Sequence, residues 1–304
     1  MEPSMPNNSA PAGRPNMNTL PNPLGGERRT YAWRGWKVAY VVRGHGDPLV
    51  FLHSIHAAAW NVEWRHTIPA FAEQHTCFAL DLLGFGASER PPIQYTAELY
   101  LELIHDFLRD VVHEPAILIG SSLGGTYAIA VADAHPHMVR AVCAIGPAGV
   151  SRLVKQGGAP FGAIRAMFRT PLLGTGLFKA LVSRPSIRYF LKDIYAFGLD
   201  ARTAYFYWIS ANQPNARFAP AAFVGMQLNH DIRSTIGRLA CPLLVAWGTD
   251  ASQTPFREAA TVMEHAPDAD FVNIHAGDLP HDERPIEFNR ALLGFVEMAE
   301  AQAV

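Results

Sequence analysis

The chain has 304 residues, of which 49% are hydrophobic and 17% are charged, and its formal net charge is −2. This length is enough for one large α/β domain with an inserted subdomain. A charge so close to zero produces no overall field that favours nucleic acid, so nucleic-acid partners are not expected.

The N-terminal segment, residues 1–26, is rich in Pro, Asn and Gly and lacks the apolar stretch of a signal peptide, which predicts a disordered tail. Beyond it, no apolar run reaches the roughly 18 residues that a membrane span needs. Cys77, Cys143 and Cys241 are far apart in the sequence and stand in or beside apolar runs. They predict buried thiols in a reducing, cytoplasmic compartment, with no metal site and no cofactor.

After the tail, short apolar runs alternate with helical patterns. Continuously apolar runs of this length are typical of strands that are covered on both faces. The predicted strands are Trp36–Val42, Leu49–Leu52, Thr76–Leu80, Ala116–Ile119, Ala141–Ile145, Leu243–Trp247 and Phe271–Ile274. Helices are predicted over Thr96–His113 with Thr96 as N-cap, from after Ser122 to before Pro136, and over Pro285–Glu300. The alternation predicts an α/β fold with a mostly parallel, doubly wound sheet.

The alternation stops between residues 148 and 239, where the sequence is helical, aromatic and interrupted by Pro and Gly. We interpret this stretch as a helical cap inserted between two parts of the core, residues 27–147 and 240–304. The run between Asp133 and Asp193 contains no acid. Its cations are Arg140, Arg152, Lys155, Arg165, Arg169, Lys179, Arg184, Arg188 and Lys192. This charge bias is either a solvated face balanced by acids elsewhere or a surface for anionic membrane lipid or an anionic substrate.

A Gly-x-Ser-x-Gly motif lies between a predicted strand and a predicted helix. It covers Gly120-Ser121-Ser122-Leu123-Gly124. Glycines at these positions permit a tight turn that presents the central serine above the sheet, and the following helix directs its N-terminal N–H groups to the same place. Ser122 is therefore the candidate nucleophile, and the Leu123 N–H is a candidate oxyanion donor.

With this motif, the chain resembles the α/β-hydrolase superfamily of serine hydrolases with a helical lid. Three further segments carry the resemblance, Phe51–Ile55, Asp81–Ser88 and Pro280–Asn289. The resemblance implies the α/β-hydrolase fold, with Ser122 as nucleophile and the Ile55 N–H as the second oxyanion donor. Ser54 stands where the family usually has a glycine.

The other two members of the triad are not at their family positions. The resemblance places the acid at Ala251 and the histidine at Asp278. Asp250, one residue early, is either a catalytic acid that swings in or a turn residue that caps the strand end. A serine without a base is a poor nucleophile, and losing the base costs about as much as losing the whole triad. Two alternatives for the base remain open, namely Asp278 itself and the nearby His281. His56, on the oxyanion-side loop, is interpreted as a local hydrogen-bonding residue that could also line the pocket.

The sequence favours a hydrolase of carboxylic-ester type that acts on an apolar ester-like or lipid-like substrate through Ser122 and a non-standard base. The aromatic cap implies a small apolar substrate. Two alternatives stay open because the base is missing. One is a non-hydrolytic enzyme of the same fold, such as a lyase or cyclase, and the other is a ligand-binding pseudoenzyme.

Overall fold

A computed structural model of the chain describes residues 20–302, except residues 152, 156 and 158. In chain order, the strands are β1 Glu27–Trp33, β2 Trp36–Arg43, β3 Asp47–Leu52, β4 His75–Leu80, β5 Ala116–Ser121, β6 Val139–Ile145, β7 Leu243–Gly248 and β8 Asp270–Ile274. The helices are α1 Ile68–Phe71, α2 Ala97–Phe107, α3 Leu123–Ala134, α4 Ala159–Arg169, α5 Leu173–Leu181, α6 Arg184–Ile194, α7 Ala201–Ala211, α8 Phe218–Val224, α9 Arg257–His265, α10 Pro280–Glu283 and α11 Pro285–Ala301.

These strands form one eight-stranded sheet in the order β1-β2-β4-β3-β5-β6-β7-β8. The strands from β3 onward pair in parallel, whereas β2 is antiparallel to both β1 and β4. The prediction of a mostly parallel α/β sheet is confirmed. Edge strand β1 was not predicted, because Trp33 is its only buried residue and charged side chains interrupt any apolar run.

Both faces of the central strands are buried. On β3, Val50 and Leu52 pack into the core cluster that contains α2 and α3, while Leu49 and Phe51 pack into the cluster that contains α1 and α11. Because successive side chains of a strand point to opposite faces, a strand covered by helices on both sides must be apolar at every position.

The predicted helix Thr96–His113 begins as expected, since the Thr96 hydroxyl accepts a hydrogen bond from the Leu99 N–H at 3.2 Å. Its last turn, Leu108–Val112, widens into a π-helix that ends at His113 with a φ of 66°. The helical stretch predicted between β6 and β7 contains α4 to α8.

Part of the segment predicted as a tail lies against the fold. Leu20 and Leu24 are buried, and Arg43 donates to the Leu24 carbonyl at 2.8 Å. The described residues of this segment therefore pack on the protein, while residues 1–19 lie outside the described part. Arg152 and the side chains of residues 159–161, 164 and 165 are also outside it.

Candidate active site

The motif around Ser122 forms a sharp turn between β5 and α3. Ser122 has a φ of 52° and a ψ of −120°, a conformation that side-chain-bearing residues rarely adopt. Its N–H donates to the Ile145 carbonyl at 2.8 Å, and its carbonyl accepts the Thr126 N–H at 3.0 Å. Both backbone polar groups are thus paired, and the strained turn is held from the next strand and from its own helix.

The motif's glycines are required by close backbone contacts. A Cβ on Gly120 would lie 2.5 Å from backbone atoms of Gly124, and a Cβ on Gly124 would lie 2.6 Å from the His53 carbonyl oxygen. The strand, the elbow and the loop after β3 can approach this closely only with glycine at both positions.

The two proposed oxyanion donors are the backbone N–H groups of Leu123, which follows Ser122 in the chain, and of Ile55. Leu123 is the first residue of α3, where a helix leaves its N–H groups without intrahelical partners. Ile55 lies in the loop after β3 and lines the same pocket as Ser122. These positions agree with the predicted donors, whose role stays a prediction.

Ser54, in place of the family's glycine, ties the oxyanion loop to a buried carboxylate. Glu63 accepts the Ser54 N–H at 2.7 Å and the Ser54 hydroxyl at 2.7 Å. Burial by itself would raise the pKa of Glu63. His281, whose Nε2 atom lies 3.7 Å from a Glu63 oxygen, together with His53 and the Ser54 hydroxyl, outweighs burial and holds the pKa of Glu63 below its usual value. The sequence reasoning missed Glu63, although a lone carboxylate inside the buried aromatic run 60–64 was a signal for it.

Asp278 lines the pocket with Ser122, but its carboxylate is fully engaged. It accepts the backbone N–H groups of Ser252 and Gln253 at 3.1 Å and of Thr254 at 2.9 Å. The Thr254 hydroxyl donates to it at 3.0 Å and the Ser252 hydroxyl at 3.3 Å. Taking a proton would cost several of these bonds, so this geometry does not support Asp278 as a ready base.

Neither of the two possible positions for the triad acid, Asp250 and Ala251, provides a carboxylate beside Ser122. Asp250 is half-exposed, and its carboxylate accepts the Thr249 hydroxyl at 2.7 Å and lies 3.3 Å from the exposed His275 ring. Asp250 is not among the described residues that line the pocket, so the structure does not bring it to Ser122. Ala251, at the family's acid position, is buried.

His281 lies inside the core rather than in the wall of the pocket. It is fully buried and stacks on Trp64 at a ring distance of 4.3 Å, and its Nε2 atom is 3.7 Å from a Glu63 oxygen. It is absent from the pocket lining among the described residues. The alternative in which His281 serves as the base is therefore not supported by its position, because a base must reach the proton it removes.

His56 is the histidine that the structure places in the pocket wall. Its Nδ1 atom accepts the Ala58 N–H at 3.3 Å, so the neutral ring carries its proton on Nε2, which has no partner among the described residues. Burial lowers the pKa of His56 to about 4. The sequence interpretation of a local hydrogen bond is confirmed. Because the Ala58 N–H occupies its acceptor nitrogen, the neutral ring has no free acceptor with which to serve as a base.

The pocket is a cavity of about 460 Å³ with mostly apolar walls. The core contributes Ser122, Ile55, His56 and Asp278, while side chains from the helical insertion form the opposite wall. Lining residues from the insertion include Phe168, Phe178, Ile187, Phe190, Leu191 and Phe223. The arrangement can place an apolar molecule beside the Ser122 hydroxyl.

Comparison with known proteins identifies the family. The model of the alpha/beta hydrolase family matches residues 49–291. The chain belongs to this family. The predicted fold and superfamily are thereby confirmed.

Two curated relatives cover most of this alpha/beta hydrolase. A 2-hydroxy-6-oxo-6-(2'-aminophenyl)hexa-2,4-dienoic acid hydrolase of Metapseudomonas resinovorans is 24% identical over 275 residues, which span 86% of this chain and 88% of the relative. A pyrrolizixenacetamide deacetylase of Xenorhabdus hominickii is 24% identical over 267 residues, which span 86% of this chain and 94% of the relative. Because relatives such as the Metapseudomonas protein are named as hydrolases, they support the prediction that this enzyme is a hydrolase.

Among solved structures, a serine hydrolase involved in carbazole degradation (CarC enzyme) matches with a TM-score of 0.75 and 23% identity, covering 90% of this alpha/beta hydrolase and all of that chain. Within the described residues, no helix is long and apolar enough to cross a membrane. The same residues contain no cluster of three or more His, Cys, Asp or Glu side chains that could hold a metal ion.

Proposed function

We propose that this alpha/beta hydrolase is a serine hydrolase that acts on a neutral, apolar ester-like substrate. The observation that carries the proposal is Ser122, held in the strained elbow conformation at the wall of an apolar cavity. Strain of this kind costs roughly 1–3 kcal/mol, and it presents the hydroxyl to a bound carbonyl.

The proposed reaction is acyl transfer to Ser122. The Ser122 oxygen attacks the carbonyl carbon, and the N–H groups of Leu123 and Ile55 stabilise the oxyanion that forms. Water takes the Ser122 proton as the new C–O bond forms, and collapse breaks the bond to the leaving group, which takes up a proton from water. A second water molecule then hydrolyses the acyl-enzyme and returns a proton to the Ser122 oxygen. The Ser122 proton has no imidazole acceptor at the family's position, so we expect slow turnover that depends on activated carbonyl groups.

The neutrality of the substrate is inferred from the walls of the pocket. The described lining residues include no Lys or Arg, while Asp278 is a carboxylate. A substrate with its own carboxylate, such as the dienoic acid in the Metapseudomonas relative's name, would be desolvated there without a cationic partner. A neutral ester with an alkyl or aryl acyl group avoids that cost.

A second candidate function is the binding of an apolar ligand without turnover. It is favoured by the engagement of Asp278 with residues 252–254, since this leaves no free base beside Ser122 among the described residues that line the pocket. Cytoplasmic placement also remains a proposal. It is supported by Cys77, Cys143 and Cys241, which are free thiols.

A fluorophosphonate probe with a mass-mapped adduct separates the two candidates. The hydrolase proposal expects an adduct on Ser122, loss of the adduct in Ser122→Ala, and faster hydrolysis of a neutral than of a carboxylate-bearing activated ester. Ser121→Ala is the matched control, because Ser121 is fully buried and should leave labelling unchanged. Tight binding of an apolar ligand without any Ser122 adduct would favour the binding function instead.

A further inference from the structure

The outer sides of α5 and α6 form an exposed surface with two kinds of side chain. Of the thirteen large apolar side chains that are exposed among the described residues, five lie between positions 172 and 190. They are Leu172, Leu173, Leu177, Tyr189 and Phe190. The exposed cations on the same two helices are Lys179, Arg184, Arg188 and Lys192. We call these nine residues the α5–α6 face.

The apolar members of the α5–α6 face do not belong to the core. Leu172 is 90% exposed and Leu173 is 67% exposed, while Phe178 on the same helix is buried. The exposed residues of α5 are Leu173, Gly176, Leu177, Lys179 and Ala180, and Thr175 is half-buried. Lys179 is therefore the one charged side chain on the solvent side of this helix. A helix that exposes an apolar side to water is a site for a membrane or a partner.

The positive charge of the α5–α6 face indicates what kind of partner it can bind. No acid occurs between Asp133 and Asp193, and none of the four cations forms an ion pair with a described residue. A symmetric dimer through this surface would place each cation opposite the same patch of cations, which disfavours a second copy of the chain. The partner must be anionic and must also accept large apolar side chains.

We propose that the α5–α6 face docks on an anionic lipid bilayer, with its leucines and aromatic rings in the interface and its cations at the headgroups. Amphipathic helices with Lys and Arg beside Leu, Phe and Trp bind bilayers in this way. The proposal needs no membrane-spanning helix and does not rest on the proposed reaction. Phe190 belongs both to this face and to the pocket wall, so docking brings the pocket next to the bilayer.

Two of the cations between Asp133 and Asp193 do not belong to the α5–α6 face. Arg140 lies on β6 and pairs with Asp47 at 2.7 Å. Arg169 donates to the carbonyls of Ile93 and Pro92 at 2.7 Å. These side chains hold the fold together, and the docking charge comes from α5 and α6.

Co-sedimentation of the full chain with vesicles tests the proposal. We expect binding to phosphatidylcholine vesicles that contain phosphatidylserine, and weaker binding to phosphatidylcholine alone. Arg188→Gln/Lys192→Gln should weaken binding to the anionic vesicles by about 25-fold, since each cation near an anionic surface contributes about fivefold. Leu172→Ser/Leu173→Ser should weaken it by about tenfold or more. None of these four residues lines the pocket.

The matched controls lie on α11, away from the α5–α6 face. Arg290→Gln removes an exposed cation and Ile286→Ser removes an apolar side chain that is 78% exposed, and neither should change binding. Equal binding to both kinds of vesicle, no binding to either, or equal losses in the controls would overturn the proposal. If size-exclusion chromatography shows a dimer that Leu172→Ser dissociates, the face is instead an interface between copies. Unchanged binding in Leu172→Ser/Leu173→Ser would overturn the insertion of apolar side chains.

Discussion

Thr254 donates two hydrogen bonds to one carboxylate oxygen of Asp278, from its backbone N–H at 2.9 Å and from its hydroxyl at 3.0 Å. At the position where the family resemblance expects an imidazole, this chain has an acceptor that organises residues 252–254. These hydrogen bonds give Asp278 a structural role in that loop.

Asp278→Asn separates this structural role from a role in proton transfer. The variant presents an NH₂ group to donors that now face a carboxylate oxygen, so we expect the free energy of unfolding to fall by about 1–2 kcal/mol. Urea unfolding measures this loss, and single-turnover acylation by an activated ester measures the chemistry. A fall in acylation of a hundredfold or more with unchanged stability would identify Asp278 as the base and contradict the structural role.

Rebuilding the missing triad tests the assignment of its positions. Asp278→His combined with Ala251→Asp supplies an imidazole and the acid that orients it. We expect a gain in hydrolysis of a small activated ester, with a rate that rises between pH 6 and 7 as an ordinary imidazole of pKa about 6.5 loses its proton.

Asp278→His alone should gain less, because its ring lacks an orienting partner. Both variants lose the acceptor for residues 252–254, so they should also unfold at lower urea concentration, and the gain will be modest. The matched variant is Asp278→His/Ala251→Asn, which keeps the size of the new side chain without its charge. If it gains as much activity as the Asp variant, the acid position is misassigned.

The pH dependence of stability follows from His56. Its pKa is lowered by burial to about 4 in the folded chain, from 6.5, so the unfolded chain binds more protons between these values. Stability is therefore fully present above pH 6.5, falls as the pH drops towards 4, and loses at most about 3 kcal/mol from this residue.

His56→Asn keeps an acceptor for the Ala58 N–H and removes the titration. We expect its free energy of unfolding to fall less steeply between pH 6.5 and 4 than that of the natural chain, as measured by urea unfolding at several pH values. Parallel curves for the two proteins would show that His56 is already accessible to protons in the folded state.

The buried Glu63 is expected to support the oxyanion loop. Glu63→Gln replaces one acceptor of the two Ser54 hydrogen bonds by a donor and removes the charge beside His281, so the free energy of unfolding should fall by about 2–4 kcal/mol. The exposed Glu73→Gln is the control and should change it by less than about 0.5 kcal/mol. A Glu63→Gln variant as stable as the control would mean that the loop is held by other contacts.

His281→Ala should act through packing. It removes a buried ring from its stack on Trp64 and should destabilise the chain by about 2–4 kcal/mol. At temperatures where the variant stays folded, acylation of Ser122 should stay within a factor of a few. Abolished acylation in a folded variant would return His281 to the list of candidate bases.

Much of the architecture was predictable because its signals are local. The central residues of β3, Leu49–Leu52, and of β5, Ala116–Ile119, are all apolar, and the glycines on both sides of Ser122 indicate a turn. β1 was missed because an exposed edge strand has no such pattern. The hydrogen bonds of Asp278 join residues about 25 positions apart, and those of Glu63 reach back to Ser54, so neither could be read from spacing. The exposure of the apolar residues on α5 could not be predicted either, because the sequence of a helix with apolar residues on several sides does not show which side faces solvent.

The elbow conformation of Ser122 has a thermodynamic consequence. A glycine at this position would adopt the φ of 52° without the penalty that a side chain brings, and would stabilise the folded chain by roughly 1 kcal/mol. The hydroxyl is therefore retained against the preference of the backbone. Because folded domains are typically stable by only about 5–15 kcal/mol, a loss of roughly 1 kcal/mol should lower the melting temperature measurably. This loss of thermal stability accompanies the presence of the Ser122 hydroxyl at the elbow.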